Sequence, residues 1–210
     1  MNDIFRLDVS RATLFDARGR RYDPSARCWL EDAGPREACE TLDPLAAARW
    51  MQRESGHPLR VPIGVVGPRE ATETQLRVAL EVGELLADCG LTVLCGGRRG
   101  VMQAVCEGVA RSGGLSIGLL PDADPALANH YVGIALATGI GEARNALIAR
   151  AAFCLIAIGD SFGTLSEVAL ARQFGKRVIG LSGAARVDGV EHVADARAAV
   201  EMAAAFALAA

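Results

Sequence analysis

A doubly wound, mostly parallel α/β sheet, preceded by a hairpin and a helix, is the fold class that the sequence predicts. Three observations carry it. From residue 61 onward, short continuous apolar runs recur at regular intervals: VPIGVV, LTVLC, LSIGLL, YVGIALA, FCLIAIG and RVIGLSG. Strands covered on both faces have this character. Between most of them lie segments with apolar positions at helical spacing, so strand and helix alternate and a parallel sheet with helices on both faces follows. The loops after the strands are rich in glycine and polar residues, and ligands of open α/β sheets bind at such loops.

The first 60 residues have a different texture. RATLFDARGRRYDPSARCWL alternates apolar and polar residues around ARGR, which predicts a β-hairpin with a glycine in its turn. Asp43 and Pro44 then open a helix over DPLAAARWMQRESG, and Gly56 stops it. This stretch is short for a core of its own, so residues 1–60 are expected to form an appendage or lid to a Rossmann-like ligand-binding domain over residues 61–210. In that domain VPIGVV (61–66) leads into the helix TETQLRVALEVGELLADCG, with Thr72 and Gln75 as a capping box and Gly90 as its stop. LTVLC (91–95) leads into GGRRGVMQAVCEGVARSGG, LSIGLL (115–120) into PDADPALANH, and YVGIALA (131–137) into TGIGEARNALIARAA. FCLIAIG (153–159) precedes the helix FGTLSEVALARQFG, RVIGLSG (177–183) follows, and an alanine-rich helix from about Asp195 closes the chain.

Composition narrows the function classes. With 51% hydrophobic residues in 210, the chain can bury a sizeable core and is not a disordered chain. A formal net charge of −3 offers no basic footprint for nucleic acid or an anionic membrane, so neither is an expected partner. No run of about 18 apolar residues occurs and MNDIFRLDVSR is too polar for a signal peptide, so a cytoplasmic location is expected. Cys28, Cys39, Cys89, Cys95, Cys106 and Cys154 show no CxxC spacing. They are expected to be reduced and structural, with no metal site. Asp122 and Asp124 are flanked by Pro121 and Pro125, which marks an ordinary turn, and His130 after them is a candidate phosphate donor or a solvated loop residue.

Two post-strand loops have the character of anion sites. In CGGRRGVM, Gly96, Gly97 and Gly100 let the backbone approach a phosphate at a helix N-terminus, and Arg98 and Arg99 add charge. The spacing is neither GxGxxG nor the P-loop pattern. In IGDSFGT, Ser161 and Thr164 supply hydroxyls, Gly163 permits the bend, and a helix expected from Thr164 points its N-terminus at the loop. Thr164 and Glu167 also have the T-x-x-E spacing of a capping box, which gives Glu167 a purely structural reading. Asp160 stands where an anion site would favour glycine. Its carboxylate can accept paired hydrogen bonds from the N–H/NH2 edge of a pterin or guanine, or simply cap a local turn.

CGGRRGVMQAVCEGVARSGG, TGIGEARNALIARAA and IGDSFGTLSEVALARQFGKRVIGL together resemble the molybdenum cofactor carrier branch of the Rossmann-like superfamily that includes the Lonely Guy (LOG) phosphoribohydrolases. The resemblance covers about residues 61–182. It implies that Arg144 and Glu167 stand at the positions of the catalytic pair of the hydrolase branch. The two facing loops themselves suggest one phosphorylated ligand, held by Gly96, Gly97, Arg98, Gly100, Ser161, Gly163 and Thr164, with Asp160 toward its ring. The resemblance also implies molybdenum cofactor as that ligand, and a homodimer or higher oligomer paired beside its sites. The departure is at Gly159, Asp160 and Ser161, where the hydrolases have Pro-Gly-Gly. A pyridoxal phosphate enzyme of the lysine decarboxylase kind is rejected, because the only lysine, Lys176, precedes the strand RVIGL and so lies at the wrong end of the sheet. The expected function is binding of a phosphorylated heterocycle. The alternatives are hydrolysis of the N-glycosidic bond of a nucleoside 5′-monophosphate, and nucleotide sensing through a partner, with residues 1–60 as the place where signalling would attach.

Overall fold

The computed structural model describes residues 4–35 and 39–209. The chain divides into two compact units, one made by the chain up to Leu59 together with residues from Glu201 on, the other by Arg60–Val200.

The smaller unit holds a five-stranded antiparallel sheet: β1 (Phe5–Asp8), β2 (Thr13–Phe15), β3 (Arg21–Asp23), β4 (Cys28–Leu30) and β5 (Glu40–Leu42), in the order β4-β3-β2-β1-β5. The β2–β3 hairpin turns at ARGR as its sequence predicts. The Asp16 carboxylate accepts from the backbone N–H of Arg18 and of Arg20, both at 2.9 Å, and Gly19 takes φ +81°. Strands β1, β4 and β5 have only three or four residues each, too few for an alternation to stand out in the sequence. Leu14, Phe15, Tyr22 and Met51 are fully buried, and Phe5 stacks on Trp29 with ring centroids 5.8 Å apart. Helix α1 (Pro44–Arg53) is capped by Asp43, whose carboxylate accepts from Ala46 N, and has Pro44 in its first turn.

The larger unit is the predicted doubly wound sheet. Its strands are β6 (Ile63–Val66), β7 (Val93–Cys95), β8 (Ser116–Leu120), β9 (Ile134–Ala137), β10 (Cys154–Ile158), β11 (Arg177–Leu181) and β12 (Val190–His192). They are all parallel, in the order β12-β11-β10-β6-β7-β8-β9. Strands β6, β7 and β10 are wholly buried, as continuous apolar runs require. Edge strand β9 differs from expectation: it is not covered on both faces, and Ile134 and Leu136 remain exposed.

Helix α2 (Glu73–Asp88) begins at the predicted Thr72–Gln75 capping box. Helix α3 (Val101–Arg111) packs against it through Gly83 and Gly108. A Cβ on Gly83 would fall on the Val105 carbonyl, and one on Gly108 on the Leu80 carbonyl, so the two backbones meet where no side chain fits. Helices α4 (Asn145–Ala151) and α5 (Phe162–Gln173) follow β9 and β10. The last helix, α6 (Ala196–Ala207), begins at Asp195, which accepts from Ala198 N at 2.8 Å; its residues from Glu201 on count with the smaller unit.

Chain order makes one position in this sheet special. From β6 the chain moves outward to β7, β8 and β9, then returns to lay β10 on the opposite side of β6. The loops after β6 and β10 therefore diverge, and a crevice opens between them at the carboxyl edge of the sheet.

Candidate functional site

A pocket of about 700 Å³ lies in that crevice. The loop after β6 supplies Gly67 to Glu70, the end of β7 supplies Gly96, the start of α4 supplies Arg144 and Asn145, and the β10–α5 connection supplies Asp160 to Thr164 with Ser166 and Glu167. Of the residues expected from sequence, Gly96, Arg144, Asp160, Ser161, Gly163, Thr164 and Glu167 are thus brought together. Arg98 lines a neighbouring cleft, and Gly97 and Gly100 line neither.

Arg144 ends a 3₁₀ turn, Gly141–Arg144, and is only 3% exposed. Its Nη1 stands 3.6 Å from Glu167 Oε1. Its Nε and Nη1 have no hydrogen-bond partner, nor does Oδ1 of the neighbouring Asn145. The amide of Asn145 donates to Ser166 Oγ at 2.9 Å, and that hydroxyl donates to Gly163 O at 2.7 Å. Gly96 lies directly beneath the guanidinium: a Cβ there would fall on both Nη atoms of Arg144 and 2.7 Å from Met102 Sδ.

Glu167 is buried, and burial raises its pKa from 4.5 to about 7, with Arg144 opposing the rise and Glu142 adding to it. Near neutral pH this carboxyl can either give or take a proton. It is not a capping residue, and the T-x-x-E expectation is corrected. Ser161, extended at φ −166° and ψ 166°, is the N-cap of α5 and its Oγ accepts from Thr164 N at 3.1 Å. The helix therefore starts at Phe162, not Thr164, and Glu167 lies in its second turn, facing the pocket. Phe162 is 96% exposed beside the same pocket.

The CGGRRG loop is bound into its surroundings. Gly97 N–H donates to Cys95 Sγ at 3.3 Å and Val101 N–H to Pro68 O at 3.1 Å, so one amide of the loop and the first amide of α3 are already engaged. Gly100 takes φ +70°, and a Cβ on it would fall on the carbonyl oxygens of Pro68 and Arg69. Arg98 pairs with Asp122, and its carbonyl accepts from Asn129 Nδ2 at 3.0 Å. Asp124 caps the 3₁₀ turn Pro125–Leu127 through Ala126 N. The second cleft, about 850 Å³, is lined by Arg69, Glu70, Arg98, Arg99, Asn129 and His130 among others, and shares Arg69 and Glu70 with the first. Among the described residues no three His, Cys, Asp or Glu side chains come together as a metal site, and no helix is long and apolar enough to cross a membrane.

Sequence reasoning missed Asn145, Ser166 and Glu142. Glu142 and Asn145 flank the selected Arg144 in the loop TGIGEARN, Ser166 precedes the selected Glu167 in the helix after IGDSFGT, and Arg69 and Glu70 come from the loop after β6.

Residues 60–207 match the model of the SLOG cluster4 family, well over half of the chain. The chain belongs to that family. It is similar to the molybdenum cofactor binding protein of the phototrophic bacterium Rippkaea orientalis, with 35% identity, a TM-score of 0.67, and coverage of 70% of this chain and 98% of that one. It is similar to the molybdenum cofactor carrier protein of Chlamydomonas reinhardtii, with 34% identity, a TM-score of 0.64, and coverage of 72% and 100%. An uncharacterized protein of Archaeoglobus fulgidus is 40% identical over 128 residues, 61% of this chain and 84% of its own. The expected resemblance to the carrier branch is borne out, and so is the Rossmann-like α/β fold.

Proposed function

We propose that this chain binds and holds a phosphorylated heterocycle of the pterin kind, molybdenum cofactor above all, and releases it unchanged. The observation that carries this reading is the set of buried polar atoms on the pocket wall that make no hydrogen bond: Nε and Nη1 of Arg144 and Oδ1 of Asn145. Each such atom costs about 1–3 kcal/mol while it lacks a partner, and a ligand that presents both acceptors and donors removes that cost. A pterin ring does so. Its ring nitrogens and carbonyl accept from Arg144, its N–H/NH2 edge suits Asp160, and the exposed Phe162 offers a face for stacking. The similarity to proteins described as molybdenum cofactor binding and carrier proteins, over nearly their whole length, supports the same ligand. The test is to purify the chain under conditions that preserve its ligand and identify what it carries by mass spectrometry. A pterin phosphate bound near one per chain is the expected result; a purine nucleotide in its place would exclude it.

A second reading is favoured by one observation, the closeness of Arg144 to a Glu167 poised near neutral pH. In a nucleoside 5′-monophosphate hydrolase, Arg144 would orient the substrate and the ionised Glu167 would stabilise the oxocarbenium-like centre or activate water. Incubation with AMP, GMP and a pterin phosphate separates the two: stoichiometric binding without free base is expected, and release of base would establish the hydrolase.

A further inference from the structure

Resting on the reading of the ligand as a phosphorylated heterocycle, we infer that the arginine-lined second cleft is the anion site that receives the ligand's phosphate, and that the N-terminus of α5 is not. Charge is divided unequally between the two clefts. The first carries the carboxylates of Glu70, Glu142 and Asp160 and the buried carboxyl of Glu167, against two arginines, of which Arg69 is paired with Glu142 at 3.0 Å and Arg144 stands beside Glu167. The second carries Arg69, held by Glu142, Arg98, held by Asp122, and Arg99, which is in no ion pair among the described residues, against the single carboxylate of Glu70.

The start of α5 is also ill suited to an anion in this chain. Ser161 Oγ takes the N–H of Thr164, and Asp160 stands just before the cap with its own negative charge. In the second cleft, by contrast, the Arg98–Asp122 pair and the Asn129 amide fix the loop. Arg99, exposed and in no ion pair among the described residues, remains as an uncommitted cation. Because both clefts share Arg69 and Glu70, one ligand spans them, ring toward Asp160 and phosphate toward Arg99. A charged, multidentate group of this kind takes phosphate monoesters and diphosphates.

Calorimetry on the full chain tests this with three probes: inorganic pyrophosphate, 6-hydroxymethylpterin, and its phosphate ester. In Arg99→Glu, with an unchanged melting temperature, pyrophosphate affinity is expected to fall about ten- to a hundredfold and the ester to lose its advantage over the parent pterin, while the parent binds as before. In Asp160→Asn the parent is expected to weaken by about tenfold or more while pyrophosphate binds at least as well. If wild-type chain does not bind pyrophosphate, or if the ester's advantage survives Arg99→Glu, the anion lies elsewhere and the inference falls. Pyrophosphate bound through Arg99 with neither pterin bound would uphold the anion site and overturn the pterin reading.

Discussion

Replacing Glu167 by glutamine tests the least expected feature of the site, a buried carboxyl that keeps its proton to about pH 7. The unfolded chain releases that proton near 4.5. Below 4.5 both states are protonated and the folded state has its full advantage; as pH rises through 7 the folded state is left with a desolvated carboxylate and the advantage is lost. Each tenfold of proton affinity is about 1.4 kcal/mol, so the wild type should lose about 2–3 kcal/mol between pH 5 and pH 8 through this one residue. Glutamine has nearly the shape of the protonated acid, can still accept from Arg144, and does not titrate. The variant should therefore be close to wild type at pH 5 and more stable at pH 8, by about 5–10 °C in melting temperature for a chain of this size. Thermal or urea unfolding of both proteins at the two pH values measures it. Parallel pH profiles, or a glutamine variant weaker at pH 8 than at pH 5 relative to wild type, would mean that the Arg144 charge 3.6 Å away outweighs the burial of Glu167.

Three further outcomes are expected. Ser161→Ala removes the α5 cap bond to Thr164 N and should cost about 1 kcal/mol in urea unfolding, whereas an unchanged midpoint would return the helix start to Thr164. Gly96→Ala forces a methyl group against the Arg144 guanidinium and Met102, so a loss of about 1–3 kcal/mol of stability should come with loss of pterin binding by calorimetry; full affinity would show that Arg144 does not need its place over Gly96. Helices α4 and α5 leave Leu147, Phe162 and Leu165 exposed, and a homodimer or higher oligomer is expected; light scattering that reports a 22.0 kDa particle at micromolar concentration would exclude it.

The parallel sheet and its helices were legible in the sequence because burial on both faces writes itself as unbroken apolar runs, and because caps are local: Asp43 with Pro44, and Thr72 with Gln75, need only neighbours along the chain. What depends on distant partners was not. The three-residue strand β12 exists because β11 offers an edge to pair with, and nothing in VEH announces that. The start of α5 was misplaced because Thr164 and Glu167 imitate a capping box, while the extended backbone at Ser161 that sets the true start has no mark of its own. In the site, the pairing of Arg144 with Glu167 followed from the family resemblance alone, since they come from separate elements. The division of the glycine loop between two clefts was not legible at all, because it is made by Asp122 and Asn129 reaching back to Arg98.

Asp160 decides how this version of the loop is used. A helix N-terminus favours a bound anion by about 0.3–1 kcal/mol at an exposed site. Two like charges about 4 Å apart near a protein surface repel by about 4 kcal/mol. A phosphate brought to α5 therefore meets a carboxylate whose repulsion exceeds the attraction of the helix, and the loop accepts hydrogen bonds from a ring edge instead. Removing the carboxylate should reverse the balance. In Asp160→Gly, the start of α5 becomes a weak anion site, so pyrophosphate titration is expected to show a second binding event in addition to the one that depends on Arg99, while 6-hydroxymethylpterin binds more weakly. A single event, unchanged from wild type, would mean that the cap bond of Ser161 to Thr164 N already denies the helix end to anions and that Asp160 acts on the ring alone.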